Sequence, residues 1–286
     1  MSEVDNELFN SIVLKLNDLM PLPITVQKII SLTRDPNTEL RELVATLERD
    51  QAMVTKILKL ANSSYYGFSK QIKTISHAVV CLGYNTIKNL ALAASAAPMF
   101  KSSVMSYALE KGALFNHSHA VAVCSRIIAQ KIKIPNPEEV YVMGLLHDVG
   151  KMILDQYSKE KFIDVIRLFR KGNITFLEAE ETILGFNHGE IGAKVAFMWN
   201  LSDEIVESIR YHHNPQDADA NNITVHIVHV ADVIVEMMGI GLGYDGLNYE
   251  INQDSVGLLK MNDNDIEGFI VATMDEIQSD SIALET

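Results

Sequence analysis

Hydrophobic periodicity is the feature that most constrains the fold of this 286-residue chain. Apolar residues recur at the three- and four-residue spacing of helix faces, as in "AMVTKILKLA" and "ITVQKIISLTRD". The strict apolar/polar alternation of a half-buried strand is nearly absent. Hydrophobic residues make up 48% of the chain, which is enough for a large core. The sequence therefore predicts an all-α fold, a bundle of many helices.

Glycine, proline and capping residues mark the expected helix ends. Thr38 is predicted to cap "ELRELVATLERD", and Asn187 with Glu190 three positions later predicts another capped start. After Pro98, a long helix is expected over about 103–133. Further helices are expected near 138–153, 158–171, 188–199, 203–213, 223–238, 253–260 and 263–278.

The same pattern suggests three segments. We expect an N-terminal helical subdomain over 1–102, a helical subdomain with a His/Asp pocket over 103–240, and an acidic helical tail over 241–286. The stretch "GLGYDG" at 241–246 has the spacing G-x-G-x-x-G, but it follows a predicted helix and not a strand. It therefore predicts a loop and not a dinucleotide site.

Charge is distributed unevenly along the chain. The net charge is −13, and residues 211–286 carry 14 acidic residues against a single basic one, Lys260. Residues 1–210 are balanced, with 23 residues of each sign. Non-specific nucleic-acid binding needs lysine and arginine to neutralise phosphates, so direct nucleic-acid binding is not expected. The acidic tail is either a solvated surface or a face for a basic partner.

The sequence predicts a cytoplasmic protein without a membrane association. The N-terminus "MSEVDNELFN" lacks the order of a signal peptide, and no apolar run reaches the roughly 20 residues of a bilayer span. Cys81 and Cys124 lie in apolar helical patterns and are interpreted as buried thiols of a reducing compartment.

Histidines concentrate in one part of the chain. Eight of the nine lie between residues 117 and 229, and His147 precedes Asp148 at the end of an apolar run, in "GLLHDVGK". Burying either side chain is costly unless it is paired or binds a metal. Imidazole and carboxylate groups are ligands of divalent metals, but the spacing is not a compact metal motif. Helix ends explain single residues such as His188 or His212 equally well, and a polar core network without metal is a third interpretation.

"GLLHDVGK", together with the order of the histidines and aspartates around it, resembles the HD superfamily of metal-dependent phosphohydrolases. The resemblance implies one metal ion held by His117, His147, Asp148 and Asp232. It implies a second metal or a phosphate at His188, His212 and His213, and it makes Lys151 and Asp148 the candidate catalytic residues. The implied cofactor is one or two divalent ions: iron, manganese, zinc, nickel or magnesium.

A more specific resemblance covers about residues 10–238. The resemblance is to the HDOD family, and it rests on the Asn62-Ser63 pair, Leu82-Gly83, "LFNHSHAVA" and "YHHNP". One departure is Asp50-Gln51, where that family usually has Asp-Pro. The resemblance implies a bacterial signal-transduction regulatory module with a protein partner in a signalling pathway and a nucleotide as candidate ligand. The alternative is a metal-dependent phosphohydrolase or phosphodiesterase acting on a nucleotide or another phosphoester. No Gly-Tyr-Pro element follows His212-His213, which argues against cyclic-dinucleotide phosphodiesterases of the HD-GYP type.

Overall fold

The structure, a computed structural model, describes residues 7–19, 22–34, 38–68, 71–172, 174–246 and 249–285. Over these residues the chain is helical and has no strand apart from an isolated bridge between Val104 and Leu109. The all-α prediction is confirmed. None of the described helices combines the length and the apolar character needed to cross a bilayer.

The helices follow one another with short connections. The first six are α1 (Glu7–Leu19), α2 (Ile24–Arg34), α3 (Leu40–Glu48), α4 (Gln51–Ala61), α5 (Ile75–Leu82) and α6 (Tyr84–Ala96). The next five are α7 (Ala113–Lys131), α8 (Pro137–Leu146), α9 (Val149–Tyr157), α10 (Lys159–Phe169) and α11 (Phe176–Leu184). The last five are α12 (His188–Met198), α13 (Asp203–Tyr211), α14 (Ile223–Met237), α15 (Gln253–Leu259) and α16 (Asp263–Glu285).

Residue contacts group the chain into two units. In the smaller unit, residues 22–99 and 271–286, α6 packs against α2, α4 and α5. In the larger unit, residues 1–21 and 100–270, α7 packs against α8 and α14, while α12 packs against α9 and α13. The three-segment division at residues 102 and 240 stays a prediction.

The predicted long helix starts later than expected. Helix α7 begins at Ala113, and a bridged turn occupies residues 104–109. Ala108 and Gly112 have φ angles of 59° and 83°, in the left-handed region, so a right-handed helix cannot pass through them. Cys124 is buried as expected, but the prediction for Cys81 is wrong because its side chain is exposed.

Helix starts were predicted with mixed success. Asn187 and Glu190 form the expected capping box at the start of α12. Thr38 is not the cap of α3, whose N-cap residue is Glu39. Helix α11, which also starts with a capping box, was not predicted.

Two glycines bring the helices of the larger unit close together. A Cβ atom on Gly144 would lie 2.9 Å from the Cα of Ala122, so α8 can approach α7 only because this position lacks a side chain. A Cβ on Gly150 would lie 1.8 Å from the carbonyl oxygen of His188. Gly150 therefore allows α9 to contact the first turn of α12.

Candidate metal centre

Seven histidine and aspartate side chains from the larger unit meet in one pocket. They come from α7, the junction of α8 and α9, α12, the residues after α13, and α14. All are buried except His213, which is half-buried. The structure brings together every residue that the HD resemblance implies as a ligand: His117, His147, Asp148, His188, His212, His213 and Asp232.

The junction between α8 and α9 presents two of these residues side by side. The sequence predicted one helix over 138–153, but α8 ends at Leu146 and α9 begins at Val149. The break turns the chain at His147-Asp148, so both side chains enter the pocket.

The first lobe of the pocket comprises His117, His147, Asp148 and Asp232. The Nε2 atom of His117 lies 3.0 Å from Oδ1 of Asp232 and 3.7 Å from Oδ2 of Asp148. The Nε2 atom of His147 lies 3.3 Å from Oδ2 of Asp148 and 3.5 Å from Oδ1 of Asp232. Two imidazole nitrogens and two carboxylate oxygens therefore surround one point.

The second lobe comprises His188, His212 and His213. The Nε2 atom of His188 lies 3.3 Å from Nε2 of His212 and 3.1 Å from Nε2 of His213. The other oxygen of Asp148, Oδ1, lies 3.5 Å from Nε2 of His188 and 3.8 Å from Nε2 of His212. Asp148 thus faces both lobes, with a different oxygen toward each.

Hydrogen bonds outside the pocket fix the tautomers of four histidines. In each, Nδ1 bonds to an oxygen that only accepts, so Nδ1 carries a proton and Nε2 is the nitrogen that faces the pocket. The Nδ1–oxygen distances are 3.1 Å from His117 to the Ile240 carbonyl, 2.6 Å from His147 to the Gly144 carbonyl, 2.8 Å from His212 to the Ile209 carbonyl, and 2.9 Å from His188 to the Glu180 carboxylate.

Several pocket atoms lack a hydrogen-bond partner. Nε2 of His147, Oδ1 of Asp148 and Oδ1 of Asp232 are buried without a hydrogen bond. Buried polar atoms without a hydrogen bond are unfavourable, so the side chains do not fully satisfy one another as a polar core network would. A mixed set of imidazole nitrogens and carboxylate oxygens fits a first-row divalent cation.

The electrostatics of the pocket also favour a positive charge. Burial disfavours an imidazolium, but the carboxylates of Asp148 and Asp232 outweigh it and raise the pKa of His147 to about 10. Burial would raise the pKa of Asp148 and Asp232. The charge on His147, together with Lys151 at Asp148, outweighs burial and lowers the pKa of both aspartates, which stay ionised. Burial, and then the neighbouring imidazoles, lower the pKa of His212 and His213, which stay neutral and able to ligate.

Lys151 lies between two carboxylates at the edge of the pocket. Its Nζ is 2.6 Å from Oδ2 of Asp148 and 2.5 Å from Oδ2 of Asp245. Burial opposes the charge of the lysine, but these carboxylates outweigh it and raise its pKa, so the ammonium persists. Lys151 therefore supplies a permanent positive charge next to Asp148.

A strap follows α14, and no sequence pattern indicated it. We define the strap as residues 240–246 and 249–252. The motif at 241–246 is a loop, as predicted. Within the strap, Asp245 pairs with Lys151 and the Tyr244 amide donates to the Tyr107 carbonyl at 2.9 Å. The ring of Tyr249 stacks on His213 with centroids 4.0 Å apart. These contacts join residues far apart in sequence, so no local motif could indicate them.

Four other histidines lie outside the pocket, and three of them belong to the larger unit. His119 stacks on Phe115, and burial lowers its pKa to about 4. His226 bonds to the Ser255 hydroxyl at 2.8 Å. His229 bonds through Nδ1 to the His212 carbonyl at 2.8 Å and accepts from the Asn252 amide at 3.0 Å. His229 therefore connects the strap to His212 of the second lobe.

Comparisons with known proteins find a family model and a relative that match this chain. The profile of the HDOD domain matches residues 19–215. An uncharacterized protein of Treponema pallidum is 28% identical over 212 residues, which are 73% of this chain and 40% of that protein. This chain therefore spans less than half the length of that relative.

Solved structures show the same fold. An HDOD domain protein of unknown function from Geobacter sulfurreducens is 28% identical, with a TM-score of 0.69 over 96% of this chain and 90% of the other. A Shewanella amazonensis protein, provisionally named a phosphohydrolase, is 19% identical, with a TM-score of 0.73 over 98% of both chains.

Proposed function

The chain belongs to the HDOD domain family, and from this premise we propose that its His/Asp pocket binds one or two divalent metal ions and hydrolyses a phosphoester. The observation that carries the proposal is the convergence of four Nε2 atoms, on rings that are each oriented by a bond from Nδ1, with two ionised carboxylates. A structural histidine cluster has no need to direct four Nε2 atoms into the same pocket.

Each lobe would hold one ion. His117, His147, Asp148 and Asp232 are the ligands we propose for the first. His188, His212 and His213, with the second oxygen of Asp148, are those we propose for the other. The nitrogen-rich ligand set favours iron, manganese, zinc or nickel over magnesium, which prefers oxygen ligands.

Divalent cations supply Lewis-acid chemistry, which polarises a phosphoryl oxygen and activates water for attack on phosphorus. The residues of the chain have separate parts in this proposal. Asp148 would connect the two ion sites, since one of its carboxylate oxygens faces each lobe. Lys151 would hold a phosphoryl oxygen and neutralise the negative charge that develops on it. A nucleotide or another phosphoester is the substrate class that such a centre suits.

A second candidate function is that of a regulatory module that binds a ligand and a protein partner without turnover. The observation that favours it is the ion pair between Asp245 and Lys151, since the strap already provides the lysine with an anion. In this form the pocket would sense an anionic ligand that competes with Asp245 for Lys151. The partner would belong to a signalling pathway, as the HDOD resemblance implies.

Metal content is the first test of the proposal. Elemental mass spectrometry on protein made without a polyhistidine tag should find one or two metal equivalents. Asp148→Asn should lose them, because Asp148 faces both lobes. The control Asp155→Asn changes α9, the helix that follows Asp148, at a position outside the pocket. The Asp155 carboxylate accepts from the Ser106 amide at 2.7 Å, and this variant should retain the metal. Metal-free wild-type protein that takes up none on addition would overturn the proposal.

Turnover separates the two candidates. Metal-loaded protein should hydrolyse p-nitrophenyl phosphate, its diester or a member of a nucleotide panel, and Asp148→Asn should lose that activity. A wild-type protein that retains its metal without any turnover, while it binds a protein partner only in the metal-loaded state, would favour the regulatory module.

A further inference from the structure

Glu180, which the sequence analysis did not single out, is a carboxylate in direct contact with the second lobe. It lies on α11 and is fully buried. Its Oε1 accepts a hydrogen bond from the Tyr107 hydroxyl. Its Oε2 accepts from both the backbone amide and Nδ1 of His188, each at 2.9 Å. Every donor that a buried carboxylate of this kind requires is therefore present.

His188 differs from the other pocket histidines in what anchors it. The Nδ1 atoms of His117, His147 and His212 donate to neutral backbone carbonyls. Nδ1 of His188 donates to a charged carboxylate, which makes the opposite nitrogen a stronger electron-pair donor. The difference falls on the lobe that has three imidazoles and only one shared carboxylate oxygen.

We infer that Glu180 is a positioning residue for a second divalent ion, bound by His188, His212 and His213. Glu180 holds the His188 ring with Nε2 toward the lobe and increases its basicity, and Tyr107 holds Glu180. The inference rests on the proposed metal binding. It adds that different groups anchor the histidines of the two lobes, so that binding of the second ion can be weakened selectively.

The test compares two metal-binding steps in Glu180→Gln and wild-type protein. Glutamine keeps the shape and can still accept from Nδ1 of His188, so the change removes mainly the charge. Titration of metal-free protein with cobalt(II), followed by the visible absorption of the bound ion and by elemental analysis, resolves the steps. We expect the first equivalent to bind unchanged and the second to bind about tenfold more weakly or worse.

Two further variants separate positioning from folding. Glu138→Gln removes another buried carboxylate of the larger unit, which lies 3.7 Å from Nη1 of Arg126 and away from the pocket. It should leave both binding steps unchanged. Tyr107→Phe removes the hydroxyl that holds Glu180 and should weaken the second step in the same direction, by less. If Glu180→Gln does not fold, Tyr107→Phe provides the measurement.

The outcomes distinguish this inference from the proposed function. Wild-type protein that binds no cobalt or other metal overturns both. Wild-type protein that binds a single ion, or variants at Glu180 and Tyr107 that keep the second step intact, overturn the inference and leave metal binding in place. Equal weakening of both steps also overturns it, because the effect would then come from the fold as a whole.

Discussion

At the scale of single residues, the proton on His147 competes with a metal ion. Its pKa of about 10 means that the metal-free pocket holds a proton there at neutral pH. A metal needs the Nε2 lone pair, so binding must release that proton. We predict release of about one proton per ion in the first lobe, and an apparent affinity that rises up to about tenfold per unit between about pH 7 and 9. Calorimetry in buffers of different ionisation enthalpy measures this release.

The control for this prediction is His119→Gln, on the same helix as His117. His119 has a pKa of about 4 and is already neutral, so its replacement should leave proton release unchanged. Metal binding without proton release at neutral pH would show that His147 is not a ligand.

A single sequence was enough to predict the candidate ligands but not the residues that hold them in place. The candidate ligands were predicted from their order in the chain and its resemblance to a known pattern. They are His117, His147, Asp148, His188, His212, His213 and Asp232. Glu180, Asp245, Tyr107 and Tyr249 were not predicted, because each acts through a partner from a distant part of the chain. Glu180, for example, has the local appearance of one acidic residue among several in "LEAEET".

At the scale of helices, the contact between α9 and α12 depends on Gly150. A methyl group there would lie 1.8 Å from a backbone carbonyl of His188, and a helix backbone cannot relax as a side chain does. We predict that Gly150→Ala lowers the free energy of unfolding by about 3 kcal/mol and weakens metal binding, because the helices must separate. Gly268→Ala is the control, since nothing lies within 4 Å of its Cβ position. It should stabilise by roughly 0.5–1 kcal/mol. Denaturant unfolding measures both, and an unaffected Gly150→Ala would refute the close approach.

Helices as such were largely predictable, and their interruptions were not. Periodicity and caps indicated α12, α13, α14 and the two tail helices close to where they lie, because those signals are local. The break at His147-Asp148 has no glycine or proline to mark it. The Nδ1 atom of His147 donates to the Gly144 carbonyl at 2.6 Å, and the pocket draws both side chains inward. Such a break is a tertiary effect.

At the scale of the whole molecule, the pocket joins helices of the larger unit that are far apart in sequence. Its ligands extend from His117 on α7 to Asp232 on α14. The smaller unit supplies none of these residues. The chain has a net negative charge, so it needs a local positive centre in order to bind an anion such as a phosphoester. Lys151 and the proposed ions provide it.

Metal binding should therefore stabilise the two units unequally. A ligand that binds only the folded state adds about 2.7 kcal/mol at a free concentration one hundred times its dissociation constant. The ligands lie on α7, α12 and α14, at the junction of α8 and α9, and just after α13. We therefore predict that metal loading slows amide hydrogen exchange in these helices and changes little in α2 to α6. Hydrogen exchange with mass spectrometry, on metal-loaded and chelator-treated protein, measures both sets of peptides at once. Asp148→Asn should show no metal-dependent difference anywhere. Slowing that is equal in both units, or confined to α2 to α6, would contradict a metal site built only from the larger unit.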